Sequence, residues 1–357
     1  MSDLDALVLA EVRNGVGHVT LNRPQAYNAL NLAMVRLLQQ QLKAWTNDSA
    51  VRAVVLRAAG EKAFCAGGDI RELYDNHLSD SQLNETFFSE EYALDYFIHT
   101  YPKPFIALVD GLVLGGGMGL VQGAKYRLVT EKAKLGMPEV AIGYFPDVGG
   151  SYFLSRLPDE TGTYMGVTGN RVAAADALSL GLADWYLAQE QIAEFDRCLD
   201  TMQWGQSANE SIRSLLETLA AKQLAGSALQ PLRPLIQQHF SFNSLAEIVD
   251  SLSKESNPQH QDWAKTTLET LKSRSPMAMA GTLELLRRGK QLSLADCFRL
   301  EFHLDCQWFE KGDFMEGVRA LIIDKDKKPQ WNPSCIEKLQ QEQTDALFAG
   351  FRPSSEE

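Results

Sequence analysis

Hydrophobic and polar positions follow two different periods along this chain, and the place where the period changes divides it. Val8–Arg13 and His18–Leu21 are short apolar-rich runs around Asn14–Gly15, which predicts an opening β-hairpin ended by Asn22-Arg23-Pro24. From Asn31, a residue type suited to a helix N-cap, Leu32, Val35, Leu38, Leu42 and Trp45 fall on one face at helical spacing. Val51–Ala58 and Phe105–Val109 are continuous apolar runs of the buried-strand kind. Between them a glycine-bearing loop, Gly60 to Arg71, leads into a helix, and Ser79–His99 predicts a second. A glycine-dense turn (Gly115, Gly116, Gly117, Gly119) then opens a small-residue helix. A strand near Tyr126–Thr130 follows, and then two carboxylates that each follow a proline, Glu139 and Asp147.

This succession of strand, glycine turn and helix predicts an α/β architecture. After about Trp185 the pattern is helical: 192–199, 211–224, 245–252, 263–271, 277–288 and 294–311 read as amphipathic helices with few strand candidates between them. The expected organisation is a core over residues 1–190 and a helical region over 191–357 packed on it, with a soft boundary near 187–200. Residues 350–357 read as a frayed end.

Composition narrows the function classes. The chain has 357 residues, 45% of them hydrophobic. No apolar run approaches the roughly 20 residues that span a bilayer. Its formal charge of −12 argues against nucleic acid or an anionic membrane as partner, while leaving room for a phosphate-bearing ligand held by a few local cations. The N-terminal residues lack the basic region and apolar core of a signal peptide and the Arg/Ser bias of a transit peptide, which makes a cytoplasmic location the default expectation. The five cysteines show no CxxC spacing, against both a disulfide framework and a zinc ribbon. The six histidines are scattered and read as ordinary surface or core residues. No metal site is expected.

Consecutive glycines ahead of a helix let the backbone approach a ligand closely and leave unpaired N–H groups at the positive end of the helix dipole. Such a turn can cradle a phosphate or stabilise an oxyanion, or it can simply be a tight crossing that needs small residues. A dinucleotide fingerprint starting at Gly115-x-Gly117 needs glycine where Leu120 stands, and no acidic residue follows at the expected strand end. No Walker-type GK[ST] is present.

The two glycine loops together are more specific. KAFCAGGDI, then DGLVLGGGMG, then a PE pair and a glycine-rich helix, resemble the crotonase (enoyl-CoA hydratase/isomerase) superfamily. The fold this implies is α/β, a crotonase-type ββα spiral core followed by a helical C-terminal region. The implied oxyanion hole uses the peptide N–H groups of Gly68 and Gly116 around a thioester carbonyl. Hydratases of the superfamily pair two glutamates; the second corresponds to Glu139, but Gly119 stands where the first would be. With one carboxylate of the pair missing, the arrangement that holds water across a C=C bond is incomplete. FPDVGGSYFLSRL, with Asp147, is instead similar to the 3-hydroxyisobutyryl-CoA hydrolase branch. So are LNRP-x-x-x-NAL at 21–30, FFSEEYALDY at 87–96, SPMAMAGTLELL at 275–286 and DFMEGVRALIIDKDKKPQW at 313–331.

The resemblance implies a thioester hydrolase acting on 3-hydroxyisobutyryl-CoA in valine breakdown. Glu139 would be general base or nucleophile, and Asp147 would contact the 3-hydroxyl or orient Glu139 and water. Glu91 would touch substrate. Asp147 as a helix N-cap, and Glu91 on a solvated face, are the plain structural readings of the same residues. The CoA moiety would meet Gln25, Ala26, Tyr27, Lys62, Ala63, Ala66 and Gly68, mostly through backbone. Gln25 replaces a lysine common in that motif, and Ser151 a frequent glycine. Cys65 reads as a packed small side chain rather than a nucleophile, and Asp313 as a structural turn. No cofactor is implied beyond CoA as part of the substrate, and a homo-oligomer is compatible. A hydratase or isomerase on the same fold, or a non-catalytic acyl-CoA-binding protein, are the competing readings.

Overall fold

The computed structural model describes residues 7–79 and 81–354; of the expected frayed end, 355–357 lie outside the described residues. The chain forms two compact units that are interleaved in sequence. One comprises residues up to 69, 90–135 and 172–230; the other comprises 70–89, 136–171 and 231 onward. No single cut near 187–200 separates them.

The first unit is built on a six-stranded sheet. Val8–Arg13 pairs antiparallel with Val16–Leu21 across the turn Asn14–Gly15, whose positive φ at both residues is what a two-residue hairpin requires. Val16–Leu21, Ala53–Ala58, Phe105–Val109, Tyr126–Val129 and Trp185–Tyr186 then lie parallel in that order. The helix Leu32–Thr46, capped by the Asn31 side chain on the Met34 amide, makes the first crossover.

One face of this sheet is closed by two helices that the sequence pattern had assigned to the C-terminal half, Ile192–Thr201 and Ala208–Leu219. Their buried residues Phe195, Leu199, Ile212 and Leu216 pack on Val55, Ile106, Leu108 and Leu128 of the strands. Burying each such side chain contributes about 1.5–3 kcal/mol, so these helices belong with the sheet whatever their place in the chain.

A second sheet is made of very short strands. Ala63–Cys65 pairs parallel with Leu112–Leu114, and 134–136 and 171–173, where the chain leaves this unit and returns, continue it. Each of two neighbouring strands of the large sheet, Ala53–Ala58 and Phe105–Val109, is thus followed by a short strand of the small one. Parallel pairing in both sheets carries the two glycine loops that come next to the same place.

The second unit is helical. Thr161–Thr168, Arg233–Phe240, Leu245–Ser253, Gln261–Lys272, Pro276–Gly289 and Leu294–Lys311 are its main helices. Ser244, Ser275 and Ser293 cap three of them through their hydroxyls. Gly281 lies so close to Trp308 that a Cβ there would stand 2.8 Å from the indole. The Trp308 indole of the helix Leu294–Lys311 therefore reaches the backbone of Pro276–Gly289 at this glycine.

Candidate functional site

In the first unit the structure brings the two glycine loops into contact. Leu30 and Gly68 form a parallel bridge in which the Leu30 amide donates to the Gly67 carbonyl (2.8 Å) and the Asp69 amide donates to the Leu30 carbonyl (2.8 Å). In that register the groups of Gly68 itself point away from Leu30. Gly116 is the first residue of the helix Gly116–Gln122, so its N–H has no carbonyl within the helix to reach. Each of these residues follows a glycine with positive φ, Gly67 at 102° and Gly115 at 47°. That conformation, open to glycine, turns the next peptide out of the strand direction. The Gly68 nitrogen lies 3.4 Å from where a Cβ on Gly116 would stand, and such a Cβ would also run into a Glu91 carboxylate oxygen. Two amides and one buried carboxylate therefore share a small space.

Glu91 is not on a solvated face. It is only 2% exposed on the helix Leu83–His99, one turn before the fully buried Asp95. Cys65 lies nearby, and burial pushes its thiol up to about 12, helped by the charges of Glu91 and Asp95. A thiol held protonated in this way is no nucleophile at neutral pH.

The expected CoA-contacting residues fall on two adjacent segments of the same unit. Gln25 and Ala26 lie in the 3₁₀ turn Pro24–Ala26, and Tyr27 caps it in the left-handed region. Gln25, Tyr27 and Lys62 are exposed, Ala26 and Ala66 half-buried, and Ala63 buried. Lys62 Nζ stands 5.9 Å from the Tyr27 ring centre, and the Ala66 amide donates to the Tyr27 carbonyl (3.0 Å). What ties the segments together is Asn28, which the sequence reading left without a role. Fully buried, it accepts the Arg23 amide and donates through Nδ2 to the carbonyls of Ala59 (2.9 Å) and Ala63 (3.1 Å). The signal was present as a polar residue ahead of the apolar Ala29–Leu30, where a buried amide needs partners.

In the second unit Glu139 opens the 3₁₀ turn Glu139–Ile142, and Asp147 follows Pro146; both are buried. Glu139 Oε2 has no hydrogen-bond partner among the described residues. Burial, and then the Asp147 carboxylate, hold the Glu139 carboxyl well above the usual carboxylate range. The eight residues between them contain a turn and a proline, so their approach is made by tertiary packing rather than by a common helix face.

That packing comes from the helix Leu294–Lys311, which grips the segment at three points along one face. Glu301 accepts the amides of Gly149 (2.7 Å) and Ser151 (2.9 Å) and the Ser151 hydroxyl. Asp305 accepts the Tyr144 hydroxyl, and Trp308 donates its indole N–H to the Gly143 carbonyl (2.8 Å). Ser151 is thus part of the grip. Asp313 is structural as expected: it accepts the Ser275 hydroxyl (2.6 Å) and the Asn332 amide (2.9 Å). Glu301 was missed in the sequence, although a charged residue inside the apolar stripe Cys297, Leu300, Leu304, Trp308 was there to find it.

Paired amides beside a carboxylate, and a buried carboxyl held well above the usual pKa range, are equipment for stabilising an oxyanion and moving a proton. The comparisons agree with that chemistry. The chain belongs to the enoyl-CoA hydratase/isomerase family, whose model matches residues 16–348. Among its relatives is the chicken (Gallus gallus) protein named 3-hydroxyisobutyryl-CoA hydrolase, mitochondrial, 38% identical over 97% of this chain and 90% of its own length. The protein of the same name from Dictyostelium discoideum is 38% identical over 96% of this chain and 91% of its own length. Among solved structures, a carnitinyl-CoA dehydratase from Mycobacterium thermoresistibile superposes with a TM-score of 0.88 at 36% identity, covering 97% of both chains. The cytoplasmic expectation is overturned by these names, which place both hydrolases in mitochondria. The composition of a folded domain carries no record of its compartment, so acids near the N-terminus could not decide the question.

Proposed function

We infer that this chain is an acyl-CoA thioester hydrolase that converts 3-hydroxyisobutyryl-CoA and water to 3-hydroxyisobutyrate and CoA. The observation that carries the reading is the buried Glu139–Asp147 pair in a chain whose Gly119 leaves the partner position of a hydratase without a carboxylate. Full-length relatives bearing the hydrolase name support it.

On this reading the Gly68 and Gly116 amides receive the thioester oxygen as it gains negative charge. Each such donor is worth about 2.7–4 kcal/mol of barrier. Glu139, made more basic by burial and by Asp147, takes a proton from water as oxygen adds to the thioester carbon. The tetrahedral adduct collapses by breaking the C–S bond, and the thiolate leaves with the proton from Glu139. If Glu139 instead attacks directly, a mixed anhydride forms and water then opens it. Single turnover in ¹⁸O-water separates the routes, because only the anhydride route can leave label in the Glu139 carboxylate. Asp147 would bind the 3-hydroxyl, Glu91 would border the acyl group beside Gly116, and the segments at 25–27 and 62–68 would carry the CoA moiety.

The test is release of free CoA thiol from 3-hydroxyisobutyryl-CoA, with crotonyl-CoA absorbance followed in parallel. Thiol release without loss of enoyl absorbance is the expected result. Loss of enoyl absorbance without thiol release would make the chain a hydratase, the reading favoured by its likeness to a dehydratase structure. Acyl-CoA binding with neither reaction would make it a binding protein.

A further inference from the structure

Glu301 is fully buried, carries an ionisable group, and has no part in the chemistry described above. Its three donors all come from one short stretch, the Gly149 amide, the Ser151 amide and the Ser151 hydroxyl. That stretch begins at Asp147. Between Asp147 and Gly149 stands Val148, a buried β-branched residue with φ of 50°. A valine in the left-handed region is a genuine backbone outlier, and such a conformation persists only where the surroundings over-determine it. Gly149, next in the chain, also has positive φ, at 83°. Asp147 itself closes the turn, its carbonyl accepting the Gly150 amide at 2.6 Å. The turn that carries Asp147 is therefore strained, and the contacts that oppose its relaxation converge on one carboxyl group.

We propose that Glu301 is a positioning residue: seated on the Gly149 and Ser151 amides, it holds the strained Asp147–Gly149 turn in the form that presents Asp147 to the hydroxyl of the substrate. This rests on the hydrolase reading and on the role of Asp147 within it. The rest of the helix face supports the assignment. Asp305 and Trp308 hold Tyr144 and Gly143, on the other side of Pro146. Glu301 alone of the three grips the stretch after Asp147. Burial pushes its carboxyl up to about 8, with the three donors opposing the rise and the Asp147 charge adding to it. The group thus senses Asp147 as well as its backbone.

Glu301→Gln keeps shape and volume but puts an NH₂ where one of the two amide donors must be received. The experiment measures kcat and KM for 3-hydroxyisobutyryl-CoA and for isobutyryl-CoA, which lacks the hydroxyl, in the wild type, Glu301→Gln, Val148→Gly and the double variant. Glu301→Gln is expected to lower kcat/KM on the hydroxylated substrate about 10–100-fold, as a misplaced contact does. The loss on isobutyryl-CoA should be several-fold smaller, so that the preference between substrates narrows. Glycine adopts the left-handed conformation at no steric cost. Val148→Gly should therefore restore part of the lost preference in the double variant, even though deleting the buried side chain lowers the melting temperature further.

Equal loss on both substrates with no recovery in the double variant would reduce Glu301 to a fold-stabilising residue and overturn the proposal, as would an unchanged preference. Should Glu301→Gln fail to fold, Glu301→Asp keeps the acid but draws it back from the Gly149 and Ser151 amides, and an unchanged preference there counts against the proposal in the same way. The wild type and Glu139→Gln, run alongside, tell the two failures apart. If the wild type itself releases no thiol, the hydrolase reading has failed; if the wild type turns over and Glu139→Gln is dead while Glu301→Gln behaves as wild type, only the positioning role has failed.

Discussion

The candidate groups of the two units are made of different material. In the sheet unit the proposed groups are backbone amides of Gly68 and Gly116, set by strand pairing and by glycines of positive φ. In the helical unit they are side chains, Glu139 and Asp147, kept buried and close in charge by a helix that grips their segment from outside. The difference teaches where each half is vulnerable. An amide cannot be deleted by substitution, so the first half fails only when something is added. A carboxylate can be deleted or neutralised, and its acidity is decided by neighbours, so the second half fails by subtraction.

The largest expected effect is a subtraction. Glu139→Gln should lower the rate of CoA thiol release by about 10²–10⁴-fold, the range for a lost acid–base group, with the melting temperature unchanged or raised, because a buried carboxyl whose ionisation is disfavoured is replaced by a neutral amide. A variant that keeps more than a tenth of wild-type kcat would remove Glu139 from the chemistry.

Next comes an addition. Gly116→Ala puts a methyl group against Glu91 and beside the Gly68 amide, and kcat should fall about 10²–10³-fold, as when an oxyanion donor is lost. Circular dichroism should show the fold retained. A small change in kcat with a large change in KM would mean that the amides bind substrate without favouring the transition state.

A milder test loosens the first half without touching it. Asn28→Ala leaves the Ala59 and Ala63 carbonyls and the Arg23 amide without their partner. It should cost about 1–3 kcal/mol of stability in denaturant unfolding and raise KM for acyl-CoA. Unchanged stability would show that water replaces the amide.

The last effect is a slope. The Glu301 carboxyl is raised from 4.5 to about 8 in the fold, so between those values the native chain keeps a proton that the unfolded chain has lost. Its contribution to stability is complete below the unfolded value and disappears as pH rises through the folded one. The melting temperature should therefore decline from about pH 5 to pH 8.5 in the wild type and decline less steeply in Glu301→Gln. Parallel curves would mean that Glu301 is ionised throughout.

What the sequence revealed follows the range over which its signals act. The helix Leu294–Lys311 was readable to its ends because its apolar stripe runs for its full length. The hairpin and the buried strands at 53–58 and 105–109 were readable for the same reason. The helix Arg233–Phe240 was not, because Pro231 and Pro234 look like breakers although the latter sits harmlessly in the first turn. Strands of three residues, such as Ala63–Cys65 and Leu112–Leu114, are too short to show any period, yet they are what brings the loops together. The single expected boundary near 187–200 came from a change of local period, whereas the units are decided by which faces Phe195 and Ile212 bury. Among site residues, glycines and proline-linked acids stand out locally, while the burial of Glu91 and the grips of Asn28 and Glu301 depend on partners far along the chain.

The three grips on helix Leu294–Lys311 sit at positions 301, 305 and 308, spaced so that one face presents all three. Removing a single residue between Glu301 and Asp305 would rotate one part of the face against the other by about 100°, and no later side chain could make up the difference. Lineages of this protein can therefore drift freely in the outward letters of that helix but are locked in its length, so a deletion of one codon there should be rarer than many simultaneous substitutions.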